Sequence, residues 1–221
     1  MFSVFRVTFV AFFFFDMMTL KERIIKEAGT LFYQYGIKSV SMDDLASSLG
    51  ISKRTLYENF KDKEEVLLTY LTAIRDERNN EVVEEMGRSA NIIEVFLFFI
   101  EYHKKKELPA AKFYEDIYKY YPRIYKLIQE DVEDKKVYIR NYLQQGIEQG
   151  YIRRNLNVDV AAFLVEESTY TYIRASYLEK PPFSFQELFF TMMVNFIRGI
   201  STNKGIEIID NYLTNQTNEN N

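Results

Sequence analysis

From Leu20 onward, apolar side chains recur every three or four positions, the spacing of helices that bury one face. Leu20, Ile24, Ala28, Leu31, Phe32 and Tyr35 form the first stripe, opened by the capping box Thr19-x-x-Glu22. A shorter stripe, Leu45, Ala46 and Leu49, follows Ser41, a good N-cap with Asp44 three residues on. Gly50 is predicted to end it, because glycine adopts the left-handed conformation a tight turn needs. Ser52 then caps a third helix in which Leu56 points inward with Ile51 and Phe60 seals the far end. Lys53, Arg54, Tyr57 and Glu58 are left on its outward face. Asp62, with Glu65 as box partner, caps a fourth helix from Lys63 to about Glu85. Two short helices joined by a glycine turn, the second presenting polar and basic groups outward, are a helix-turn-helix pattern suited to the major groove of DNA.

Beyond this head the pattern stays helical. Gly87 to Asn91 reads as a break, and Ile92 to Lys105 as an apolar helix ending in basic residues, favourable at a helix C-terminus. Leu108-Pro109 is predicted to start a short helix to about Tyr120, and Pro122 a long one to Gln149, stopped by Gly150. Tyr151 to Leu156 is a connector, and Asn157 or Asp159 opens a helix to about Glu179. Pro181-Pro182 is a hard break before the Ser184-x-x-Glu187 box, whose helix is predicted to reach about Thr202. A last helix, from about Lys204 to Leu213, precedes a polar tail, Thr214 to Asn221, expected to be disordered.

Composition supports an all-helical fold. Only 8 Gly and 4 Pro among 221 residues leave little material for a turn-rich β fold. With no Cys, disulfides, thiolate nucleophiles and cysteine-based zinc sites are excluded. An enzyme is not expected. The single histidine, His103, lies on an amphipathic helix beside Tyr102 with no evident partner set, and no phosphate-binding or dinucleotide glycine motif occurs. The adjacent pairs Glu84-Glu85 and Glu166-Glu167 point about 100° apart on a helix and do not form a two-carboxylate site. No cofactor or metal is expected.

The net charge of -4 argues at first against a nucleic-acid partner. Residues 19–66, however, balance eight basic against eight acidic groups, and within 51–63 four positive groups face two negative ones. The acidic excess lies after residue 66, so a local basic surface is carried on an acidic body that discourages random DNA binding.

The N-terminus is atypical: eleven of residues 2–15 are apolar, with Phe12 to Phe15 consecutive. The run is too short to span a bilayer, and no signal-peptidase-like site follows it. Met17 or Met18 is expected to be the true start, with 1–16 an upstream extension; the alternative is an apolar arm that packs on the body or associates with a membrane.

The run from Gly50 to Glu65, glycine-isoleucine-serine-lysine-arginine-threonine-leucine-tyrosine followed by Phe60 and Lys63-Glu64, closely resembles the DNA-binding signature of TetR-type transcriptional repressors. Leu20 to Gly36, with Phe32 four residues before Gly36, resembles that family's first helix. Glu58 and Asn59 depart from it, replacing the aromatic or histidine residues often found after the tyrosine, which leaves the base preference open.

The resemblance implies an all-α protein with a three-helix DNA-binding head over 19–66, a ligand-binding and dimerisation body over 67–213 and a polar tail over 214–221, after an apolar extension over 1–18. It implies a cytoplasmic regulator, most simply a repressor, that binds a palindromic double-stranded DNA operator as a homodimer and is released by a small effector. In such a protein Lys53, Arg54 and Thr55 lie near the N-terminus of the recognition helix, where bases are met. Tyr57 and Lys63 bond phosphates, and Ser41, Ser52 and Glu58 complete the DNA face. The rival is an all-helical enzyme or lipid-binding protein with an incidental head.

Tyrosines and phenylalanines, 17 and 19 in number, supply the candidates for an effector site. A cavity for an apolar or amphiphilic effector is expected to draw on Tyr102, His103, Tyr114, Tyr118, Tyr121, Glu167, Tyr170 and Arg174. The stripe Phe185, Phe189, Met192, Met193, Phe196 and Ile200 belongs to a helix apolar on more than one side, so a second copy of the chain is expected to cover part of it.

Overall fold

The computed structural model describes residues 18–105, 109, 111–175 and 183–219; the apolar extension, Pro181-Pro182 and the last two residues fall outside them. Side chains 111, 132–135, 166, 168–175, 185 and 217–219 are likewise outside the description. Among the described residues the chain forms ten helices: α1 Leu20–Tyr35, α2 Met42–Leu49, α3 Lys53–Asn59, α4 Lys63–Arg88, α5 Ile92–Lys105, α6 Ala111–Tyr120, α7 Pro122–Glu148, α8 Val158–Ala175, α9 Phe185–Ile200 and α10 Asn203–Glu219. The strand-like element among them is one isolated bridge, Ile152 with Ser201. The chain divides into two compact units, Met1–Arg78 with Pro109–Tyr125 and Asn79–Leu108 with Lys126–Asn221.

In the first unit, α1 packs on α2, α2 on α3, and α1 also on α6. The inward stripe becomes a dry core: Ile24, Ala28, Phe32, Ile37, Leu45, Leu56, Phe60 and Leu67 have almost no accessible surface, and Phe113, Ile117 and Ile124 join them from the later segment. Each of the Ile, Leu and Phe side chains contributes about 1.5–3 kcal/mol of burial free energy, which is what holds helices as short as α2 and α3 in place. Gly29 lets α1 approach Tyr70, where a Cβ would stand 2.1 Å from the ring. Tyr70 in turn meets Tyr33 edge to face at 5.8 Å.

In the second unit, α9 packs on α5, α8 and α10, and α5 also meets α10. Ile93, Ile100, Leu143, Ile197 and Ile209 are fully buried at its centre. Gly146 brings α7 close to α5, since a Cβ there would lie 2.4 Å from Ile152 and 2.8 Å from Ile92. The connector after α7 is stitched to the α9–α10 junction: Arg153 N–H donates to Ile200 O (2.9 Å) and Thr202 N–H to Tyr151 O (2.8 Å).

Two helix ends and one capping bond differ from the sequence reading. Helix α4 continues through Gly87 to Arg88, where Arg88 pairs with Glu84 one turn back. A single glycine in a helix costs only about 1 kcal/mol and need not end it. Helix α10 runs through the expected polar tail to Glu219. Thr214 donates to Asp210 O (2.8 Å), and Gln216 donates to Glu101 (3.1 Å) while accepting from Lys104 (2.9 Å). The two bonds of Gln216 to α5 explain why polar composition did not produce a coil there. At α4 the capping partner of Glu65 is also displaced: its carboxylate accepts from Lys61 N–H (2.6 Å), while Asp62 accepts from Glu65 N–H (2.9 Å).

Candidate nucleic-acid interface and effector residues

The helix-turn-helix is built as its residues dictate. Ser41 Oγ accepts from Asp44 N–H (3.1 Å), and the Asp44 carboxylate accepts from Ser41 N–H (2.8 Å) and hydroxyl (2.7 Å). These bonds, the hydroxyl first, hold the Asp44 carboxyl below the usual carboxylate range. Gly50 sits in the left-handed region (φ 65°). Its N–H donates to Ser47 O (3.2 Å) and that of Ile51 to Ala46 O (3.0 Å), the two bonds of a Schellman turn. Ser52 Oγ then accepts from Thr55 N–H (3.0 Å) and lies 2.8 Å from the Thr55 hydroxyl.

Helix α3 buries Leu56 and turns Lys53, Arg54, Tyr57 and Glu58 to solvent. The exposed cations are not isolated. Lys53 is paired with Asp43 of α2 at 2.8 Å, and Arg54 Nε with Glu58 at 2.9 Å, one turn along α3. The hydrogen bond to Asp43 raises the pKa of Lys53.

Lys63 is placed differently from an open phosphate ligand. It is half-buried, and its ammonium donates to Ile37 O (2.8 Å) and Val40 O (2.6 Å). Burial pulls its pKa below the ordinary lysine value, opposed by the nearby Asp116 and Asp44 carboxylates.

Those carbonyls belong to the α1–α2 loop, which carries a set of residues the sequence reading did not single out. Asp116 of α6, only 4% exposed, accepts from Lys38 N–H at 2.7 Å. Lys38 Nζ donates to the Tyr120 hydroxyl (2.9 Å) and lies 4.3 Å from that ring's centre, and Lys112 Nζ donates to Ser39 Oγ (2.6 Å). Gly36 (φ 81°) opens the loop, and a Cβ there would meet Lys112 and Asp116 at about 3.0 Å. The one available signal was local: Asp116 lies on the same α6 face as buried Phe113 and Ile117, where an unpaired carboxylate is not tolerated.

The effector candidates fall into both units. Tyr114, Tyr118 and Tyr121 belong to the first. Tyr118 is exposed and meets Tyr125 edge to face at 5.3 Å. Burial, then the carboxylates of Asp116, Glu64 and Asp62, push the Tyr121 phenol up to about 12. Tyr102, His103 and Glu167 lie in the second unit. The His103 ring meets Tyr102 edge to face (5.4 Å) and Phe189 at a tilt (4.7 Å). Tyr170 and Arg174 lie on α8, with side chains outside the described residues. Among the described residues no group of His, Asp or Glu is placed to hold a metal ion, and no helix is long and apolar enough to cross a membrane.

The structure divides the expected dimer stripe. Phe189, Met193 and Ile200 point into the second unit's own core, because a line at i, i+4 and i+11 is one face of α9. Met192 and Phe196 stay half-buried and line an open groove with Leu164, Thr191 and Asn195. On α8, Val160, Phe163 and Leu164, each more than half exposed, extend that apolar surface, and none was named from sequence. The side chain of Phe185 lies outside the described residues.

The chain is similar to known proteins over this architecture. Residues 24–70 match the sequence profile of bacterial regulatory proteins of the tetR family. An HTH-type transcriptional regulator of Bacillus subtilis, YhgD, is 24% identical over 188 residues, covering 83% of this chain and 98% of that protein. The HTH-type transcriptional repressor KstR2 of Mycobacterium tuberculosis is 24% identical over 160 residues, covering 70% and 80%. Among solved structures, the ketosteroid regulator KstR2 matches with a TM-score of 0.59 at 21% identity, covering 84% of this chain and 96% of that one. A transcriptional regulator from Saccharomonospora viridis in complex with choline matches with a TM-score of 0.70 at 20% identity, covering 83% and 98%. A capped two-helix unit joined by a left-handed glycine and an outward basic helix thus coincide with the profile match over residues 24–70, and the chain is a DNA-binding transcriptional regulator whose head is of the tetR type, on an all-helical body similar to those of known regulators.

Proposed function

We propose that the protein is a repressor that binds a palindromic operator as a homodimer and is released by a small apolar or amphiphilic effector. The observation that carries this reading is α3, a short helix held rigidly by Ser52, Leu56 and Phe60 with Lys53, Arg54, Thr55 and Tyr57 on its open side. Such a helix enters the major groove with its N-terminal residues at base edges, so Arg54 and Lys53 read bases while Tyr57, Ser41 and Ser52 meet the backbone. Lys63 braces the α1–α2 loop with two of its three ammonium protons, and the third serves a phosphate.

Two heads are required because one near-neutral head makes few phosphate contacts. The apolar surface of Val160, Phe163, Leu164, Met192 and Phe196 supports pairing with a second copy. In the second unit, Tyr102, His103 and Glu167, with Tyr170 and Arg174 on α8, are the residues proposed to meet the effector. An effector shifts the equilibrium only by its differential affinity for the DNA-competent and DNA-incompetent states. The setting is the cytoplasm, where operator DNA is found.

Footprinting of the purified protein on the DNA upstream of its own gene tests the reading. Two protected half-sites about 34–36 Å apart, lost on adding an effector, are expected. Uniform weak protection at every sequence would overturn it.

A further inference from the structure

Lys53 opens the recognition helix, yet it is already engaged. Its ammonium lies 2.8 Å from one oxygen of Asp43 and 3.0 Å from the other, so the whole carboxylate clamps it from α2, ten residues earlier. Both side chains are more than half exposed, at 60% and 62%, so the pair is open to an approaching phosphate or base edge. An exposed pair of this kind adds little to fold stability, and buried Leu45, Ala46 and Leu56 already hold α2 against α3. The neighbouring Asp44 is the one committed to the cap of α2. Arg54 differs: its contact with Glu58 uses Nε, and its side chain is 89% exposed.

We infer that Asp43 is a specificity-determining residue that competes with DNA for Lys53 and so holds down sequence-independent binding. Non-specific affinity is electrostatic and scales with the cations that can displace counterions from phosphates. A lysine already neutralised by its own protein displaces few, and the carboxylate repels an approaching phosphate. The exchange becomes favourable where Arg54, Thr55 and Tyr57 fix the register and a base edge such as guanine O6 and N7 offers Lys53 a placed acceptor. This inference rests on the proposal that α3 enters the major groove.

The test measures binding by fluorescence anisotropy, over a salt series, on a random-sequence duplex and on a duplex selected with the wild-type protein. Wild type, Asp43→Asn, Lys53→Met and the double variant are compared. Asp43→Asn is expected to tighten random-duplex binding about two- to fivefold and to steepen its log–log salt dependence by about one ion. Selected-duplex affinity changes less, so the ratio between the duplexes falls. In the Lys53→Met background Asp43→Asn changes neither. Unchanged random-duplex binding in Asp43→Asn, or an equal tightening with and without Lys53, which is what a general loss of negative charge produces, overturns the inference. If Lys53→Met and Arg54→Ala both leave the two duplexes bound as before, the major-groove reading itself fails.

Discussion

Replacing Asp116 by alanine removes the acceptor that closes the α1–α2 loop. Asp116 is 4% exposed and receives the Lys38 N–H at 2.7 Å, so alanine leaves a part-buried backbone donor without its charged partner. A hydrogen bond of this kind contributes about 1.5–3 kcal/mol. The loss falls on the first unit, because Lys63 also loses the nearby carboxylate that favours its charged form. Native-state hydrogen exchange of the α1–α3 amides should quicken roughly 10- to 150-fold, the same free energy expressed as a rate ratio. In a heat-denaturation curve the midpoint should fall about 3–12 °C. Asp116→Asn retains an acceptor oxygen and should lose less. DNA affinity should drop with the exchange protection, since the loop leads directly into the Ser41 cap of α2. A stability change under about 0.5 kcal/mol for the alanine variant, the size expected of an ordinary surface position, would show that Asp116 does not brace the loop.

Gly29→Ala should destabilise the first unit by about 1–3 kcal/mol, because its Cβ would stand 2.1 Å from the Tyr70 ring; unfolding curves matching wild type would contradict this packing. Alkaline stability should report Tyr121: the folded chain raises its pKa to about 12, so its contribution is fully present below the unfolded value of about 10 and is lost as pH rises through about 12. Tyr121→Phe should flatten that decline, and identical pH profiles would refute the assignment. Phe163→Glu with Leu164→Glu should convert a dimer to monomers in light scattering and weaken operator binding steeply. An intact dimer would move the interface elsewhere. Lys63→Met should lower head stability as well as DNA affinity, and loss of affinity with unchanged stability would make it a phosphate ligand alone.

The legible parts of this molecule were local in sequence. Thr19, Ser41, Ser52 and Ser184 announced helix starts because a cap and its partner lie within one turn, and each is present as a cap. Gly50 announced the turn because only its left-handed backbone closes α2 onto α3. What escaped reading was long-range. Asp116 and Lys38 are 78 residues apart, and neither has a motif that names the other. Pairing of Lys53 with Asp43 across the turn depends on how α2 and α3 pack, so charge counting saw four cations without seeing that two were paired with carboxylates and a third, Lys63, was bonded to backbone carbonyls. Periodicity found that α9 is apolar on two sides but could not say which side faces its own core. The packing assigns Phe189, Met193 and Ile200 inward and leaves Met192 and Phe196 beside Leu164. Polar composition misjudged the end of α10, where Gln216 is held by Glu101 and Lys104 more than a hundred residues earlier.

Selection from a random-sequence DNA pool, run in parallel with wild type and Arg54→Ala, bears most directly on the central claim that α3 reads DNA sequence. The account predicts that wild type enriches a palindrome with half-sites about one helical turn apart. It predicts that Arg54→Ala relaxes preference at one position in each half-site, with a discrimination loss of about 1–3 kcal/mol there. No enriched palindrome with wild type, or an identical motif with both proteins, would contradict it.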